Sequence, residues 1–178
     1  MLGLLIYIGG LSMSFLEHKV KTALKHNSEY LMPFNADILS TIEHSRMTDK
    51  YRKTVDAVVL FNWALLHLDV KPKESDREQH VLVGDYLLAE FYKLVIEDNQ
   101  LTVLNDMMEI SKQIHNKKSR YLSENCNIEK SQLDALLYAP LHYLVEHFFL
   151  SKDVKRATER HVQQLMQDKM TLRLKEVM

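Results

Sequence analysis

Apolar residues recur along this chain at intervals of three and four, and the intervals divide it into helices. Phe15, Leu16, Val20, Ala23, Leu24 and Leu31 keep that spacing, with Glu17, Lys19, Lys21 and Lys25 mostly between them. The pattern predicts an amphipathic helix from Ser14 to about Tyr30. Pro33 breaks it, and Asn35 is placed to cap a short helix that carries Ile38, Leu39 and Ile42. His44 to Asp49 is polar and reads as a connection. Thr48 or Asp49 is the expected cap of the next helix, about Lys50 to Leu68. Val55, Val58, Val59, Leu60, Phe61, Trp63, Leu65 and Leu66 make that helix apolar nearly all round, the mark of a helix at the centre of a bundle.

A charged loop, Lys71 to Asp76, holds Pro72. Ser75 or Asp76 is expected to cap the following helix, which has Glu78 in its first turn and runs to about Glu97. Gly84 lies inside it, where glycine costs about 1 kcal/mol relative to alanine. Such a glycine marks the close approach of another backbone. Leu104, Met107, Met108, Ile110 and Ile114 predict a helix over Leu101 to Lys118, and polar Asn116 to Asn127 is expected to contain a turn. Leu133 to Leu150 is strongly apolar, with Pro140 expected to kink or split it. Asp153 to Glu176 carries a narrow stripe of Val154, Ala157, Val162, Leu165, Met166 and Met170 on a charged background. No stretch reads as a strand, a repeat or a linker. The expected architecture is one all-α domain, residues 14–178, a bundle of about six to eight helices.

Composition narrows the function classes. A chain of 178 residues suffices for a single domain with a real core. Its 23 basic and 24 acidic residues leave no basic surplus to neutralise phosphates, so nucleic-acid binding is not expected. The single cysteine, Cys126, cannot form an internal disulfide, which points to a reducing cytoplasm. Residues 1–13 are apolar but too few to span a bilayer, and no Lys or Arg precedes their apolar core as in a secretory signal. They read as a disordered or mis-called extension with Met13 as the natural start. A flexible tail and a weak membrane-surface anchor are the alternatives.

The stretch from Ala57 to Val95 carries the one motif-like layout. An apolar run ends in His67-Leu68-Asp69-Val70, a short loop holds Pro72, and a second run opens at Gly84-Asp85-Tyr86-Leu87-Leu88. This resembles the trans-polyprenyl diphosphate synthases, in which one helix ends in Leu-His-Asp-Asp-Val-x-Asp and the next begins near Gly-Asp-Tyr-Leu-Leu. In that family three carboxylates on one helix face hold magnesium ions, and the ions hold the allylic diphosphate. Aligned on His67, the three positions here are Leu68, Asp69 and Pro72, so one carboxylate of three is kept. Leu and Pro side chains supply no oxygen ligand to a hard cation. The Arg-Arg pair that follows in the family is reduced to Arg77 beside Glu78, and no adjacent Asp-Asp pair occurs anywhere to serve as the second aspartate-rich motif.

The pattern therefore resembles the small non-catalytic subunit of the two-component hexaprenyl and heptaprenyl diphosphate synthases. The resemblance implies part of the isoprenoid synthase fold and a heterodimer with a catalytic large subunit that carries the Mg2+. It also implies a role in elongating and measuring the menaquinone side chain. Gly84, Asp85, Tyr86, Leu87 and Leu88 fit the family's packing segment, in which Asp85 is expected to cap or cross-bridge helices.

Each candidate also has a plainer reading. His67 and Asp69 either bind one metal ion or line a channel, or they are a helix end with Asp69 simply solvated. His142, Glu146 and His147 form H-x-x-x-E-H, but only His142 and Glu146 share a helix face, too few ligands for catalytic zinc. Cys126 has no nearby His to activate it. Two other classes stay open: a stand-alone helical interaction module, and a metal-dependent helical hydrolase using His67, Asp69 or the His142 group.

Overall fold

The apolar intervals of the sequence become helices, and these pack as an all-α bundle. The computed structural model describes residues 6–8, 11–45, 51–124, 128–148 and 150–167. Seven helices follow in order: α1 (Phe15–Leu24), α2 (Ala36–His44), α3 (Arg52–Asp69), α4 (Arg77–Glu97), α5 (Leu101–Glu124), α6 (Lys130–His147) and α7 (Lys152–Gln167). The expected absence of strands needs one correction. Ile6–Ile8 (β1) and Leu11–Met13 (β2) pair antiparallel, Ile6 against Met13 and Ile8 against Leu11. Gly9-Gly10 lies between them in sequence, and Gly-Gly between two β-prone runs is a two-residue hairpin signal.

Helix α3 is the axis of the bundle. It buries Val55, Ala57, Val58, Val59, Leu60, Phe61, Asn62, Trp63 and Ala64 in succession, so every side of its middle turns is covered. It packs most extensively on α4, then on α6, while α7 closes the bundle over α6 and α2. Phe61 meets Phe91 of α4 at 4.7 Å between ring centres, and Phe34 meets Trp63 at 5.6 Å. Aromatic pairs at such separations add to the area they bury.

Several element ends depart from the pattern. The first helix stops at Leu24, because Lys25 takes φ 53°, and a 3₁₀ stretch with no buried residue follows to Tyr30. No apolar side chain between Lys25 and Ser28 rewards continuing the α-helix. Asn35 caps α2 as expected, its Oδ1 accepting from Ile38 N at 3.0 Å. Neither Ser75 nor Asp76 caps α4 with its side chain: Ser75 Oγ donates to Asp76 Oδ1 at 2.6 Å, and the 3₁₀ turn Glu74–Asp76 feeds directly into the helix. Helix α5 runs six residues past the expected Lys118, through a segment read as containing a turn. Polarity does not break a helix that contains neither Pro nor Gly. Helix α6 does kink ahead of Pro140, with Tyr138 at φ −131°, ψ 17°. The expected caps Thr48 and Asp49, and Cys126, lie outside the described residues.

Asp56 stands half-buried on α3, and burial pushes its carboxyl up to about 6; Arg52 and Lys19 pull it down, and Glu43 pushes it up. A raised acid pKa means the folded chain binds more protons than the unfolded chain between pH 3.8 and 6. The fold therefore carries the full desolvation cost above pH 6. Asp56→Asn should raise stability at pH 8 by about 1–2 kcal/mol, a value discounted for partial exposure, and by less at pH 5. Urea unfolding at the two pH values checks both the sign and the difference.

Candidate functional site

The residues that carry the resemblance converge on the joint where α3 turns into α4. His67 is fully buried in the last turn of α3. Met32 N–H donates to His67 Nδ1 at 3.2 Å, so Nδ1 carries no proton. The other nitrogen, Nε2, then bears the hydrogen and donates to the His80 carbonyl at 2.9 Å. One turn earlier, Trp63 Nε1 donates to Met32 O at 2.7 Å. Trp63 and His67 thus hold both polar groups of the Met32 residue from one face of α3, and His67 also ties α3 to α4. The His67 ring stacks on that of His80, centroids 3.9 Å apart and 26° between planes. Burial holds the His67 imidazole below its ordinary pKa, opposed by the bond to His80, and the adjacent His80 lowers it further. It is a neutral, structural histidine, with no nitrogen free for a metal.

Leu68 points across the joint onto Gly84. A Cβ built on Gly84 would stand 2.7 Å from Leu68 Cγ, well inside contact distance. The expectation that another backbone approaches Gly84 is corrected: the neighbour is a side chain, and it belongs to the position where the synthases place a metal-binding aspartate. Asp69 is not the solvated residue of the plainer reading either. Its carboxylate pairs with the ammonium of Lys118, a buried residue of α5. A lysine taken out of water needs such a partner. Helix α3 ends at Asp69, before Pro72, as proline requires of the residues ahead of it. Within the second half of the layout, Leu87 is fully buried, while Tyr86 and Leu88 are half-buried against the core. Asp85 is exposed on the middle of α4, with no hydrogen-bond or ion-pair partner among the described residues, so it neither caps nor cross-bridges.

A magnesium-diphosphate site does not fit this joint. Of the three ligand positions, Leu68 and Pro72 offer no donor, and Asp69 is neutralised by Lys118.

The second candidate group is dispersed. Glu146 and His147 are exposed. His142 turns inward, its Nε2 3.1 Å from Asp134 Oδ2 and 3.3 Å from Thr158 Oγ1. Beside this pair, the Tyr138 hydroxyl lies 2.5 Å from His161 Nδ1 on α7. Asp134, Tyr138 and His142 fall at i, i+4 and i+8, one stripe of α6 that fastens α7 to the bundle. Sequence reasoning missed this stripe, although its signal was three polar groups at helical spacing in an otherwise apolar helix. It also missed Lys118, which lies among the exposed charges Lys117 and Arg120. Among the described residues no three His, Cys, Asp or Glu side chains are grouped to hold a metal ion, and no helix is long and apolar enough to cross a membrane.

No family model matches the chain, and neither the curated proteins nor the solved structures contain a significant match.

Proposed function

We propose that this chain is the accessory subunit of a two-component long-chain polyprenyl diphosphate synthase. It would act with a catalytic large subunit that holds the Mg2+, support elongation and set product length for the menaquinone side chain. One observation carries the reading. The α3–α4 joint follows the order of the synthases' first aspartate-rich motif and its packing segment, while two of the three ligand positions, Leu68 and Asp69, make contacts within the fold and the third is Pro72. Leu68 fills the notch at Gly84, Asp69 answers Lys118, and His67 clamps backbone. A helix end built this way supports a packing role beside an active site and leaves diphosphate chemistry to the partner. The competing hydrolase reading has less support from these residues, since both nitrogens of His67 are bonded within the fold, Asp69 pairs with Lys118 and His142 Nε2 faces Asp134.

Leu68→Asp tests the assignment of roles. The variant restores two adjacent carboxylates, but Pro72 still fills the third position and Asp69 still has Lys118. The isolated variant should show no Mg2+-dependent condensation of isopentenyl diphosphate with farnesyl diphosphate. Elongated product from the isolated variant would place the catalytic machinery in this chain. The partnership itself is tested by purification of the tagged chain from its native cell. A prenyl synthase bearing both aspartate-rich motifs should come with it in stoichiometric amount, and a complex lacking such a protein overturns the reading.

A further inference from the structure

Helix α4 presents a largely uncovered face to solvent that carries large apolar side chains, and along it, among the described residues, only Tyr92 touches another helix, its hydroxyl 3.9 Å from Met108 Sδ of α5. Leu82, Asp85, Ala89, Tyr92 and Ile96 follow one another at intervals of three and four, so they form a straight stripe along α4. All five are exposed, Leu82 at 51% and Ile96 at 63%. Such exposure on an ordered helix leaves apolar area uncovered that a second surface would gain by covering.

The stripe is complementary to itself. Ala89 sits at its middle and is the smallest side chain on it, which permits close approach of a second helix. Leu82 and Ile96 lie seven residues to either side of Ala89, and Asp85 and Lys93 lie four to either side. When two copies of α4 cross antiparallel at Ala89 about a two-fold axis, Leu82 of each meets Ile96 of the other. Asp85 of each comes level with Lys93 of the other, within reach of the flexible lysine side chain. Asp85 has no ion-pair partner among the described residues, and Lys93 has only an exposed intrahelical contact of 3.4 Å with Glu90, which is readily exchanged. No like charges are brought together on the stripe. An isologous contact requires one patch to match itself, and this patch does so in both shape and charge.

We propose that a second copy of this chain covers this face, giving a two-fold homodimer that packs α4 against α4 across Ala89. The inference does not depend on the synthase reading, since it uses no feature of the α3–α4 joint.

Sedimentation of the full purified chain over a range of concentrations tests it. The wild type should show a reversible monomer–dimer equilibrium. Ile96→Glu and Asp85→Lys should each weaken the dimer at least about tenfold, while monomer melting temperature changes little because both positions are exposed. Combining Asp85→Lys with Lys93→Asp should return the dissociation constant to within about threefold of wild type, because the opposite charges are restored. A wild type that stays monomeric overturns the proposal, as does a dimer indifferent to Ile96→Glu. Ile96→Glu that abolishes binding of a different protein to a monomeric wild type also overturns it, by assigning the face to another occupant.

Discussion

Gly84→Leu should destabilise the fold by about 2–3 kcal/mol and, where a catalytic subunit is present, reduce assembly with it. Leucine gains the better part of 1 kcal/mol over glycine in helix propensity. That gain is outweighed, because even the first added carbon falls 2.7 Å from Leu68 Cγ, and three more must then be housed between α3 and α4. Leu68 is itself 39% exposed and can swing outward to admit one methyl group, so Gly84→Ala should lose far less than Gly84→Leu. A double-mutant cycle separates the terms. In a Leu68→Ala background the notch is empty, and Gly84→Ala should stabilise by up to about 1 kcal/mol. Chemical denaturation measures the four proteins of the cycle and Gly84→Leu. A Gly84→Leu variant with wild-type stability would contradict the packing described for the joint.

His67→Ala should cost about 3–5 kcal/mol. It opens a cavity against the His80 ring and removes the bonds to the partly buried Met32 N–H and to the buried His80 carbonyl. The residue also sets a pH dependence whose sign follows from its lowered pKa. The unfolded chain takes up a proton at this histidine near pH 6.5, while the folded chain resists it because Nδ1 must accept from Met32. Its contribution is complete well above pH 6.5 and is lost as the pH falls below that value. Between pH 7.5 and 5.5 the wild type should lose stability more steeply than His67→Ala, as measured by urea unfolding at both values. Asp56 opposes this trend below pH 6, so the comparison is cleanest in an Asp56→Asn background.

Much of the bundle was legible because its signals are local. Buried α3 could be read from an apolar run broken only by Asn62, the kink of α6 from Pro140, and the start of α2 from Asn35. What escaped was decided by partners distant in sequence. Nothing around Lys118 distinguishes it from its exposed neighbours Lys117 and Arg120 until α5 folds back onto Asp69, 49 positions away. The length of α5 escaped for a different reason, since polarity alone does not end a helix that has neither Pro nor Gly in it. At the joint, Gly84 was legible as a position of close approach. That Leu68 fills it was not, because a glycine shows that space is scarce without showing which atoms take it. The α6–α7 polar stripe needed both helices before its members could be paired.

The proposed division between a non-catalytic packing subunit and a separate catalytic one is tested directly by one assay. This chain and a co-purified prenyl synthase bearing both aspartate-rich motifs are incubated with farnesyl and isopentenyl diphosphates and Mg2+, separately and together, and the products are resolved by chain length. The account predicts no condensation by this chain alone and a long polyprenyl diphosphate from the mixture. The same long product, made at the same rate by the partner alone, would contradict it.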